Sequence, residues 1–232
     1  MYGGEVERVR AEVAELDLQS ERIRRVLRCA ITEADRSAAV LIFALVEDLM
    51  LDAFKKNLSD EYIKGGWDEI TSGNGLLSTA NDRLSLLALL DWIKPSTYSD
   101  LRLLKSIRNR FAHHADVGGF DDKNIRSWLG SMNPIEKSIL KSIDDIHEDT
   151  IHTLNARQTF LMRATMVVTE LVSNLAIGPK ARTSKVAPGH VSSNWATCPE
   201  NLREIHRVAA EIVLEVLGEP PSQGSRLASA PT

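Results

Sequence analysis

One short segment holds the residue types and spacing best suited to chemistry: Arg108, Asn109 and His113. An arginine can grip a phosphate with two parallel N–H donors and offset charge that develops on it. A histidine, whose ordinary pKa is about 6.5, can take or give a proton near neutral pH. An amide such as Asn109 can orient an imidazole or hold a ribose hydroxyl. Together the three suit attack of a ribose 2'-hydroxyl on its neighbouring phosphodiester, which needs no metal. Arg102, Lys105 and Arg110 lie nearby, and no acid occurs between Arg102 and His114. In a chain of net charge -4 this is a local basic patch, and RNA is the partner it suits. An arginine and a histidine on a helix also commonly serve as structural hydrogen-bonding groups, so the spacing alone leaves both roles open.

A second cluster, Glu33, Asp35 and Arg36, stands at the start of another predicted helix. Acids there favour the helix N-terminus electrostatically, which alone accounts for Asp35. Glu33 and Arg36 are three apart and share a face, from which they could reach Arg108 or His113 if the two helices pack. His147 and His152 lie among Asp144, Asp145, Glu148 and Asp149 without a metal-ligand spacing. The chain has no Walker A loop, GxGxxG, GxSxG or HExxH motif, and neither a cofactor nor a metal is expected.

The elements that must position these residues are helical. A charged helix is predicted over residues 5–29. The next starts with Thr32 as its cap and Asp35 three residues on, and carries a wide apolar face from Ala39 to Phe54. Residues 58–77 read as a loop with one short turn. A third helix spans about 78–92, and a fourth starts near Ser96 or Ser99 and ends near His114. Leu101, Leu104, Ile107 and Phe111 form the stripe of the fourth, opposite Arg102, Lys105, Asn109 and His113. Residues 122–130 and 134–147 can each hold a short helix. A long one follows from about Thr150 and ends at Gly178-Pro179. The domain map is a helical domain over 1–177, a linker or exposed loop over 178–198, a C-terminal helix over 199–217 and a disordered tail over 218–232. Ile205, Val208, Ile212 and Val216 form the apolar face of the C-terminal helix. The fold class is all-α, a helical bundle.

Composition is consistent with this. Hydrophobic residues make up 43% of 232, enough for a sizeable core, and aromatics are few. Cys29 and Cys198 are too far apart in sequence to suggest a metal spacing or a disulfide framework, and Cys29 reads as a small core residue. The longest apolar run, from Ala38 to Leu51, is interrupted by Glu47 and Asp48 and is too short to span a bilayer. No secretory leader is recognisable at the N-terminus, so a cytoplasmic location without membrane contact is expected.

Residues 32–39, the Glu47-Asp48-Leu49 run, Gly75 through Arg83, and Asp100 through His113 with Phe120-Asp121 resemble the mannitol operon repressor (MltR) family over roughly residues 20–175. That resemblance implies negative control of transcription in bacteria. No helix-turn-helix with a basic recognition helix is recognisable, as direct DNA reading by that motif requires. The Arg108-Asn109-x-x-x-His113 segment also resembles the signature of the HEPN superfamily. Its active members are helical, metal-independent endoribonucleases that generally act as dimers, many in toxin–antitoxin or antiphage systems. By position, that resemblance makes Arg108 and His113 the catalytic pair, Asn109 their polar partner, and Glu33, Asp35 and Arg36 supporting residues. RNA cleavage by a homodimer, with an antitoxin or regulatory protein as a candidate partner, is the sharper expectation. A non-catalytic transcriptional regulator and a protein-interaction module stand beside it.

Overall fold

A computed structural model describes residues 19–61, 63–133, 154–183 and 200–218. Among them every regular element is a helix and none is a strand. In chain order they are α1 (19–32), α2 (Asp35–Asn57), α3 (Gly66–Thr71), α4 (Ala80–Leu89), α5 (Pro95–His113), α6 (Lys123–Ser131), α7 (Ala156–Thr183) and α8 (Glu200–Leu217). The architecture is an all-α bundle. Residues 5–18 of the helix expected at 5–29, the segment read as a helix at 134–147, residues 184–198 of the linker read at 178–198 and residues 219–232 of the tail read at 218–232 lie outside the described residues, as do His147, His152 and His190.

The centre is the packing of α2 against α5. Ile42, Phe43, Val46, Leu49, Met50 and Phe54 of α2 are buried, with Ala38, Ala39 and Leu45 beside them. From α5 come Leu101, Leu104, Ile107 and Phe111, each no more than 2% exposed. Burial of such a side chain stabilises a fold by roughly 1.5–3 kcal/mol. Pro95 opens α5, where its missing N–H costs nothing, and α4, α6 and α7 surround the rest of the helix. Phe120, in the loop after α5, meets Phe111 edge-on at 5.2 Å and stacks on Phe160 of α7 at 4.1 Å. The chain is thereby closed across α5, the loop and α7. Ile205, Val208, Ile212 and Val216 of α8 are buried, and α8 lies along α7. Arg24 adds ion pairs from α1 to Glu204 and Glu211 of α8.

Three local expectations are corrected. Thr32 does not cap α2: it ends α1, and its hydroxyl donates back to the Cys29 carbonyl at 3.0 Å, leaving Ala34 at the α2 N-cap. Cys29 is exposed, because the buried side of α1 carries Ile23, Leu27 and Ala30 instead. Gly178-Pro179 does not end α7, which continues to Thr183. A proline removes one ladder bond, here the one to Leu175, and that single loss does not stop the helix.

Asp35 is the joint of the bundle. One carboxylate oxygen accepts the Phe120 backbone N–H at 2.9 Å, and the other pairs with Arg157 at the start of α7. Arg157 also donates to the carbonyls of Ala30 and Ile31, at 3.2 and 2.9 Å, and to that of Glu33, so it closes the end of α1. Gly119 lets the loop come this close: a Cβ there would stand 2.7 Å from Asp35 Oδ2. Hydrogen bonds to charged groups contribute about 1.5–3 kcal/mol. Asp35→Ala is therefore expected to lower unfolding stability by about 2 kcal/mol or more, and Gly119→Ala to lower it in the same direction. Urea denaturation checks both. Unchanged midpoints would remove Asp35 from this structural role.

Candidate functional site

With its apolar stripe buried, α5 carries its polar residues along the borders of that stripe, where they meet α2 and α4, and on its solvent side. Arg108 points at α2. Its guanidinium lies over the Phe43 ring at 4.9 Å, donates through Nη2 to Glu47 Oε2 at 3.2 Å, and through Nη1 to Asn109 Oδ1 at 2.9 Å. The Arg108 and Glu47 side chains are 28% and 27% exposed, so the pair is only partly desolvated. Glu47 has a second cationic neighbour: Arg83 Nη1 lies 3.9 Å from its Oε1. Arg83 is held from behind, where its Nε donates to the Leu77 carbonyl at 2.8 Å. Thr79 caps α4 through the Asp82 N–H and so fixes the turn from which Arg83 projects. Lys105, one helical turn before Arg108, donates to Asn81 Oδ1 of α4 at 3.2 Å.

His113 closes α5 and is exposed; its side chain has no hydrogen-bond partner among the described residues. Five residues separate it from Arg108, about 7.5 Å along the helix and about 140° around it. Within one chain the two side chains therefore leave α5 in different directions. Arg110 turns away from both, to Asp122 at 2.9 Å. Asp122 also accepts the N–H groups of Asn124 and Ile125 and so caps α6. Arg102 is exposed and lies over Tyr98, 5.8 Å from the ring centre. The basic patch is thus smaller in space than in sequence: Glu47 and Asp122 each neutralise one of its arginines.

The second sequence cluster falls elsewhere. Asp35 is committed to Phe120 and Arg157. Arg36 donates to the His114 and Ala115 carbonyls, at 3.2 and 3.4 Å, and so closes the end of α5 beside His113 without touching the imidazole. The Glu33 side chain is exposed and makes no described contact with Arg108 or His113. Sequence reasoning passed over Glu47, Arg83 and Phe43 as site residues. The available signal was the acid itself, since Glu47 interrupts the apolar run of α2 and a carboxylate in such a run calls for a partner.

A model of the mannitol repressor family matches residues 20–177. The chain belongs to that family. No curated protein and no solved structure matches it. In this mannitol repressor relative the matched segment contains the whole Glu47–Arg108–Asn109 arrangement, His113 and the Asp35 joint, and α8 lies beyond it. Among the described residues, no helix is long and apolar enough to cross a membrane, and no group of three or more His, Cys, Asp or Glu is placed to hold a metal ion.

The hydrogen bond from Arg110 holds Asp122 below its ordinary carboxylate value of 3.8 and pushes Arg110 up. A carboxylate depressed in the folded state contributes stability above its unfolded pKa and loses it as pH falls through the folded value. Asp122→Asn keeps an oxygen for the α6 cap but removes the charge. Its urea midpoint is expected below wild type near pH 7, with the difference closing as both are acidified below the ordinary carboxylate range, through the depressed folded value of Asp122. A difference that persists undiminished in acid would contradict this origin.

Proposed function

We propose that this protein is a regulator of bacterial gene expression, in the sense of the family to which it belongs, and that it acts by binding rather than by cutting. The face formed by α2, α4 and α5 around Glu47 is its contact surface. One observation carries the reading: both terminal nitrogens of Arg108 are engaged within its own chain, by Glu47 and Asn109, with the Phe43 ring behind them. A phosphodiester passing through its transition state needs a guanidinium aimed at the reacting phosphate, with a proton-transferring group within hydrogen-bond reach of the same atoms. Arg108 is aimed at a carboxylate, and His113 leaves α5 in another direction.

A second reading has its own observation. His113 is exposed, and a two-fold pairing of chains could bring its imidazole to the Arg108 side of another copy, as the HEPN resemblance implies. The protein would then be a homodimeric, metal-independent endoribonuclease. RNA would be its substrate, Arg102, Lys105 and Arg110 would add phosphate contacts, and an antitoxin or regulatory protein would hold it silent.

One comparison separates the two readings. Wild type and His113→Ala are placed in a bacterial reporter strain of mannitol-operon transcription, and both are incubated with single-stranded RNA in EDTA. Equal repression by the two proteins and intact RNA are expected. RNA products ending in a 2',3'-cyclic phosphate, formed roughly a hundredfold more slowly by His113→Ala, would overturn the binding reading and establish the nuclease.

A further inference from the structure

At Glu47 two arginines meet one carboxylate among the described residues. Arg83 and Arg108 approach its two oxygens separately, at 3.9 Å from Oε1 and 3.2 Å from Oε2. Lys105 stands one turn from Arg108 on the same side of α5, and its described partner, Asn81, is neutral. Arg83, Lys105 and Arg108 thus have a single acid among their described partners, Glu47, in a chain whose net charge is -4. Three different helices, α2, α4 and α5, place these groups, each fixed by the contacts already described.

We propose that Arg83, Lys105 and Arg108 form a binding site for the phosphate group of a small phosphomonoester, with Glu47 as the internal anion that this group displaces. The charge selects the ligand. A phosphomonoester carries about -1.5 to -2 near pH 7 and so can displace the single charge of Glu47 from the two arginines, whereas each phosphodiester linkage carries only one negative charge, no more than Glu47 itself. The geometry agrees. Phe43 fixes the plane of the Arg108 guanidinium, and fixed planar donors are what bidentate recognition of an oxyanion requires. Asn81 and Asn109 supply amide groups at the rim. The pair that must open is partly exposed, and pairs of that kind are weak enough to exchange. The site deepens the regulatory reading and rests on it for its purpose: phosphate would release Glu47 from both arginines and so change the contact surface according to a small-molecule signal.

The test is calorimetric titration of the full-length protein with inorganic phosphate at constant ionic strength, set against chloride and against a short oligoribonucleotide without terminal phosphates. Saturable phosphate binding is expected, weakened about tenfold by Lys105→Gln and strengthened severalfold by Glu47→Gln, which removes the competing charge. Lys105→Gln alters a single side-chain bond at the surface and so decides the matter if Glu47→Gln does not fold. The proposal is overturned if phosphate does no more than chloride, if Lys105→Gln leaves its affinity unchanged, or if the folded Glu47→Gln protein binds phosphate no better than wild type. Binding of the oligoribonucleotide in place of phosphate also overturns it, in favour of a face that reads phosphodiesters. Phosphate binding with no repression in the reporter strain retains the site and removes the regulatory reading; repression without phosphate binding does the reverse.

Discussion

Burial of Leu101, Leu104, Ile107 and Phe111 along one side of α5 decides where every polar group on that helix points. The stripe is locked from several directions, by α2 across its length and by the Phe111–Phe120–Phe160 contacts at its end. Rotating α5 to present Arg108 differently would expose part of this stripe, at roughly 25 cal/mol for each Å² of apolar surface. The orientation of the polar face is therefore a consequence of the core. Arg108 meets α2 because Ile107 must meet the interior.

Once Arg108 faces α2, electrostatics decides what it does there. A guanidinium laid against Phe43 loses part of its hydration and needs a compensating acceptor, and Glu47 provides one from within the α2 sequence. The pair remains about a quarter exposed, which keeps the interaction moderate. It is strong enough to hold one rotamer and open enough for a competing anion to reach it. Arg110 illustrates the alternative. It also pairs with an acid, but Asp122 is committed to the α6 cap, and the bond serves to fasten the start of α6 to α5. Two arginines two residues apart thus have different consequences because the helix turns them to different neighbours.

Much of this fold was legible in the sequence. The α2 and α5 stripes have the 3.6-residue period, and Pro95 and the Gly118-Gly119 pair mark the limits of α5 closely. Residues 20–177 also match the family that the sequence motifs suggested. The ends of elements were less legible, since Thr32 and Pro179 follow tertiary context in place of local preference. For the candidate site, the sequence identified Arg108 and Asn109 but not what holds them. Glu47 is 61 positions from Arg108, and no local pattern announces a contact of that separation. Asp35 was legible as an acid at the start of α2, but its partners were not. Its partners, Phe120 and Arg157, become adjacent only when the loop and α7 close over the start of α2.

Glu47 holds Arg108 within one chain, and the proposed contact face depends on that pair. A double-mutant cycle with Glu47→Gln, Arg108→Gln and the combined variant, followed by urea unfolding, measures that interaction with the packing of the two side chains largely retained. A favourable coupling of about 1 kcal/mol is predicted, at the upper end for an exposed pair and consistent with partial burial. Additive effects, with no coupling, would contradict the account: Arg108 would then be available to act on a ligand without first leaving Glu47.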